Sequence, residues 1–134
     1  MFVDASAIVA ILTAEAAGEA LAQRLERARA PVTSAIAVFE AVTAICRKRA
    51  IDVVDAQGIV QLFLAEAGIG LVALGDAHTA AALSAYAIYG MGRGNRAQLN
   101  LGDCFAYAGA KVAGVGLLYT GEDFGHTDLG GIPG

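Results

Sequence analysis

The sequence predicts an α/β protein in which helices cover both faces of a mainly parallel sheet. Short apolar segments recur at Phe2-Val3, Pro31-Val32-Thr33, residues 69–74 and residues 115–119, and longer stretches with helical patterning lie between them. The 134 residues are 57% hydrophobic and only 16% charged, which excludes a disordered chain and fits a heavily buried sheet, a partner-covered surface, or both.

Each element has a local justification. Phe2 and Val3 form an apolar strand leading to Asp4-Ala-Ser6, after which residues 7–13 and 15–29 read as helix. Pro31-Val32-Thr33 is a brief extended segment. Ser34 then caps a helix running through Phe39, Glu40 and Ile45 to Arg47-Lys48-Arg49, whose positive charge suits a helix C-terminus. Asp52 caps a further helix to about residue 66, residues 69–74 form a compact strand, and Asp76 caps an Ala-rich helix ending near Gly90. A Gly/Arg loop follows at residues 90–97, then a helix opening at Asn100, a strand over 115–119 and a Gly-rich tail. No repeat or linker divides the chain, so residues 1–134 are expected to be one domain.

Several function classes are excluded at this level. The longest charge-free stretch, residues 77–92, is interrupted by His78, Thr79 and Ser84 and is too short to span a bilayer comfortably. Asp4 precedes the first apolar run without a basic lead, which argues against a signal peptide and for a cytoplasmic protein with no membrane role. Cys46 and Cys104 show no metal-binding spacing and are expected as free buried thiols. A net charge of −4 and an isoelectric point near 5.0 restrict any nucleic-acid contact to a local patch.

Four carboxylates break apolar neighbourhoods: Asp4 after the first strand, Glu40 within its helix, Asp103 at a helix start and Asp123 after the last strand. In an open parallel sheet, the carboxyl ends of the strands are where sites gather. Buried, neighbouring carboxylates repel and take up protons, and a divalent cation offsets both costs. All-oxygen ligands suit Mg²⁺ or Mn²⁺, and such an ion supports hydrolysis of a phosphodiester. Each acid also has an ordinary structural explanation. Asp103 fits the first turn of a helix capped by Asn100, Glu40 a solvated helix face, Asp4 a cap seconded by Ser6, and Asp123 a turn.

Val3-Asp-Ala-Ser6, Val38-Phe-Glu-Ala41, Leu99-Asn-Leu-Gly-Asp-Cys-Phe-Ala-Tyr-Ala108 and Leu117-Leu-Tyr-Thr-Gly-Glu-Asp-Phe-Gly-His-Thr-Asp-Leu129 together resemble the PIN-domain toxins of VapBC toxin–antitoxin modules. The resemblance spans nearly the whole chain in order and spacing. It implies a PIN-like α/β/α sandwich with a central, mainly parallel sheet, and a Mg²⁺-dependent (or Mn²⁺-dependent) endoribonuclease. Carried over position by position, Asp4, Glu40, Asp103 and Asp123 would form the catalytic metal site, with Ser6 supporting Asp4 and Glu122 as the alternative to Asp123. The implied partners are an RNA substrate and a VapB-like antitoxin, in a homodimer or a toxin–antitoxin hetero-oligomer. Thr120 stands where toxins of this kind often carry a basic residue.

Other residues have two readings each. Arg93 and Arg96 are candidate RNA contacts or merely solubilise their loop, and Arg47, Lys48 and Arg49 complement a helix end or touch RNA. Tyr86, Tyr89, Phe105 and Tyr107 either stack on bases or, at helical spacing, pack in the core, the reading preferred for Phe105 above all; His126 stays outside the site, and Asp128 is structural, binding backbone groups near the sheet edge. The apolar residues of the first two helices form a groove for an antitoxin segment or a second copy, or else face the sheet. Two rival functions remain: a catalytically silent PIN-like binding module, and a phosphoryl-transfer protein with an acidic pocket. Asp4-Ala-Ser6 lacks the paired acids expected of the latter.

Overall fold

A computed structural model describes residues 1–130. Its elements run β1 (Phe2–Val3), α1 (Ala5–Leu12), α2 (Gly18–Glu26), β2 (Val32–Thr33), α3 (Ala35–Arg49), α4 (Val53–Ala67), β3 (Gly70–Leu71), α5 (Asp76–Tyr89), α6 (Leu101–Ala113) and β4 (Leu117–Leu118), followed by a short 3-10 turn, Phe124–His126. The strands form one sheet in the order β3-β2-β1-β4, every pair parallel, with Phe2 opposite Val32 and Leu117, and Val3 opposite Leu118.

Strand alternation creates the layers. Phe2 and Leu117 face the α5–α6 side, whereas Val3 and Leu118 face the side built by α1 to α4. All four are fully buried. A β-carbon at Gly109 would overlap the Phe2 ring, so the missing side chain lets α6 lie directly on the sheet. Thr33 resolves the one polar side chain inside β2 by donating its hydroxyl to the Val3 carbonyl at 2.7 Å.

Helix ends follow local chemistry, with some departures. Ser34 caps α3 by accepting from the Ala37 N–H at 3.3 Å, and Asn100 caps α6. Gly75, not Asp76, is the N-cap of α5; its N–H donates to His78 Nδ1 at 3.1 Å, and Asp76 sits inside the first turn, where its charge favours the dipole. Asp52 holds the N-cap position of α4 without a side-chain capping bond. The helix expected over 15–29 contracts to Gly18–Glu26, and the strands expected over 69–74 and 115–119 contract to two residues each. Among the described residues no helix is long and apolar enough to cross a membrane. Cys104 is buried and Cys46 half-buried, both as free thiols, and the Cys46 thiol donates to the Ile51 carbonyl.

Candidate functional site

The carboxyl end of the central strand delivers the first acid. The Asp4 N–H extends the β1–β4 ladder to the Leu118 carbonyl at 3.0 Å, and its side chain turns to cap α1 by accepting from the Ser6 N–H, also at 3.0 Å. Ser6 works in two directions: its hydroxyl bonds the Asp4 carboxylate, and its Oγ accepts from the Thr120 N–H at 3.1 Å. The end of β1, the start of α1 and the end of β4 are thereby tied at one point.

The second and third acids come from helices on opposite layers. Glu40, midway along α3, lays its carboxylate against the first turn of α6, and a β-carbon at Gly102 would overlap all three carboxylate atoms. Asp103 forms a reciprocal capping box with Asn100: the Asp103 N–H donates to Asn100 Oδ1 at 2.9 Å, and the Asn100 N–H donates to Asp103 Oδ2 at 3.1 Å. Capping and site membership are therefore not alternatives. Asp4 and Asp103 both cap helices, and both line the same cleft of about 480 Å³ together with Ser6 and Glu40.

Proton affinity rises throughout this cluster. Asp4, only 4% exposed, is pushed up by burial despite the opposing hydrogen bonds from Ser6 and Ala5. Burial, then the charges of Asp4 and Asp103, raise Glu40 to about 7. Burial, followed by repulsion from Asp4 and Asp123, raises Asp103 to about 6 against the lowering bond from Asn100. Asp123 thus acts on Asp103 electrostatically, but its side chain is exposed and does not line the cleft. Glu122 is likewise exposed and outside the lining. Three of the four predicted acids line the cleft, and the fourth, Asp123, does not line it although its charge reaches Asp103.

The donor set suits Mg²⁺ or Mn²⁺: only carboxylate and hydroxyl oxygens meet at the floor, in an environment that penalises their negative charge. Among the described residues no three His, Cys, Asp or Glu side chains are arranged to hold one ion together as they stand. The hydrogen bonds explain the spacing, since Asp103 points back to Asn100 and Asp4 to Ser6. Mg²⁺ takes only one or two carboxylates directly and keeps several waters, so one or two of these acids would suffice to hold it.

The cations at the cleft are not those singled out in the loop. Arg93 and Arg96 do not line it, and the Arg93 guanidinium instead lies 5.7 Å from the centre of the Tyr86 ring. Arg47 and Lys48, at the end of α3, do line it. Lys48 pairs with Glu15 at 2.8 Å, while Arg49 points away and donates to the Leu12 carbonyl at 3.0 Å, pinning α3 to α1. The sequence signal for Arg47 is its place seven residues, two helical turns, after Glu40.

Elsewhere, Asp128 is structural but its carboxylate binds side chains, not backbone: it accepts from the Tyr107 hydroxyl at 2.7 Å and pairs with Lys111. Tyr89, Phe105 and Tyr107 pack in the α5–α6 layer, whereas Tyr86 is largely exposed. His126 does not line the cleft. Most apolar side chains of α1 and α2 face inward, the second of the two readings of those helices, and the exposed surface made by large apolar side chains lies elsewhere. That surface includes Leu83, Tyr86, Met91 and Leu101, along a groove of about 550 Å³ between α5 and α6.

Residues 1–129 match the family model described as PIN domain. The chain is 44% identical to a VapC ribonuclease of Rhizobium meliloti, over 96% of this chain and 99% of that protein. It is 40% identical to a ribonuclease VapC of Mycolicibacterium smegmatis, covering 98% of this chain and 99% of the relative. A VapC ribonuclease of Mycobacterium bovis is also 40% identical, over 96% of each chain.

Proposed function

The chain belongs to the PIN-domain family, and from that premise we propose that it is a Mg²⁺-dependent endoribonuclease toxin, hydrolysing RNA phosphodiester bonds and held in check by a cognate VapB-like antitoxin. The observation that carries the reading is the convergence of Asp4, Glu40 and Asp103 on one cleft at the carboxyl end of a parallel sheet, with proton affinities raised by burial and repulsion. Relatives named as ribonucleases over nearly the whole chain supply the reaction class.

Asp4, Glu40 and Asp103 would hold the cation between them, one or two directly and the rest through its waters, and the charge of Asp123 reaches the same site through Asp103. When bound, the cation offsets charge on the scissile phosphate and makes a coordinated water more acidic. Ser6 keeps Asp4 aimed by bonding it from one side while gripping the Thr120 N–H on the other. The apolar α5–α6 groove supports a chain that works within a complex, either with a second copy or with the antitoxin. An antitoxin that sets a basic side chain among these acids would compete directly with metal and substrate phosphate.

The test is RNA cleavage by the purified chain with Mg²⁺, with Mn²⁺, and after exhaustive chelation, alongside Asp4→Asn and Asp103→Asn. Cleavage that requires the metal and both carboxylates is expected, as is its inhibition by the co-expressed antitoxin. Undiminished cleavage after chelation overturns the mechanism, and a folded chain that cleaves no RNA under any of these conditions favours the silent binding module.

A further inference from the structure

The cleft has a polarity that the acidic floor alone does not explain. Six of its lining residues come from α3 in two adjacent ridges: Phe39, Thr43 and Arg47 on one, and Glu40, Ala44 and Lys48 on the other. Both step by four residues, so the first ridge runs about 12 Å along the helix from Phe39 to Arg47. Phe39 is 69% exposed beside a catalytic carboxylate, although it is among the largest apolar side chains of the helix. It is not needed in the core, where Ala37, Ala41, Val42 and Ile45 already fill the buried face of α3.

At the other end, Arg47 is exposed, and among the described residues it has neither an ion pair nor a hydrogen bond, whereas its neighbours Lys48 and Arg49 are engaged. The Arg47 side chain lines the cleft from the end of α3. Ala44, between Glu40 and Lys48, adds only a methyl group and leaves the path between the ridges low.

An aromatic face, an acidic cation-holding floor and a free guanidinium in line suit a single strand of nucleic acid, which offers a base to stack and phosphates to bind. We infer that the α3 face from Phe39 to Arg47 is the track on which single-stranded RNA lies at this site, Phe39 stacking on a base and Arg47 holding a phosphate two helical turns away. The inference rests on the nuclease reading and adds to it how the strand is oriented. It supplies the positive charge that Thr120 does not, and it assigns no base preference, because every base has a face to stack.

The experiment measures binding of a short single-stranded RNA of randomised sequence to the non-cleaving Asp4→Asn chain across a salt series. Arg47→Gln should reduce the slope of log affinity against log salt by about 0.7, the loss of one phosphate contact on a single strand, and Arg47→Lys should restore it. Phe39→Ala should weaken binding about 5- to 100-fold, Phe39→Trp should restore it, and on an abasic strand the Phe39→Ala effect should vanish. Both side chains are exposed, so circular dichroism should show the variants folded like the parent. If RNA binds with unchanged slope and affinity in these variants, the track is wrong while the nuclease reading stands. The track is also wrong if the same substitutions abolish inhibition by the antitoxin and leave RNA binding intact, for the surface then belongs to a protein. If the parental chain neither cleaves nor binds RNA, both readings fall.

Discussion

Replacing Glu40 by Gln keeps the shape of the side chain against Gly102 and removes only its charge, so it isolates the cost of holding that charge in the acidic floor, burial first and repulsion from Asp4 and Asp103 second. Glu40 is raised from 4.5 to about 7, and at about 1.36 kcal/mol per pH unit the full displacement corresponds to about 3 kcal/mol. The side chain is half-buried, and solvent screening reduces the expected cost of its charge to about 1–2 kcal/mol. The sign follows from proton linkage. A folded-state value above the unfolded one means that the native protein binds more protons between about pH 4.5 and pH 7, so stability falls as pH rises through that window. Metal-free Glu40→Gln should therefore match the parent near pH 4 and exceed it by about 1–2 kcal/mol near pH 8, a gain of about 3–8 °C in Tm for a domain of this size. Thermal unfolding by circular dichroism in the presence of chelator, repeated across that pH range, measures it. Adding Mg²⁺ should close the gap by stabilising the parent more than the variant. A difference between the two proteins that is flat with pH would show that the charge of Glu40 meets no net penalty, and would refute the electrostatic account of the site.

Three further substitutions probe how the acids are held. Gly102→Ala should leave the unfolding free energy within about 1 kcal/mol of the parent, because helix propensity improves while the Glu40 carboxylate swings aside, yet it should lower RNA cleavage by about 10- to 100-fold through the displaced carboxylate. Ser6→Ala should weaken Mg²⁺ binding by about 10-fold, read by calorimetry, because it removes a hydrogen bond that orients Asp4. Ala50→Gly should stabilise the protein by about 0.5–1 kcal/mol in urea unfolding, since Ala50 closes α3 at φ 51°, in the left-handed region that glycine occupies without strain.

The layer order was legible because Phe2-Val3 and Leu117-Leu118 are wholly apolar and the stretches between them carry helical spacing. Strand length was not. Residues 72–74 and 119 continue the apolar runs, but a strand extends only as far as a neighbour pairs with it, and β3 at the sheet edge has β2 on one side alone. The acids stood out by their apolar surroundings, yet spacing along the chain did not separate Asp103, whose helix turns it into the cleft, from Asp123, which the 3-10 turn leaves exposed outside it. Arg47 was hidden in a basic run that also suits a helix end. Only the folded contacts show that Lys48 is engaged by Glu15 and Arg49 by the end of α1 while Arg47 lines the cleft.

The pairing of β1 with β4 joins residues 2 and 3 to residues 117 and 118, the longest sequence separation in the sheet. A nascent chain emerges with Asp4 already attached to its strand, and Glu40 and Asp103 follow, so the acids are present well before the molecule is finished. The strand that flanks β1 on its other side, and the Thr120 N–H that Ser6 accepts, come later still. Long-range parallel pairing is slow because the loop must close before any contact rewards it. A ribosome-bound fragment ending before residue 117 therefore carries the carboxylates without the clasp that seats Asp4, and the acidic site is assembled only once translation has delivered the last strand.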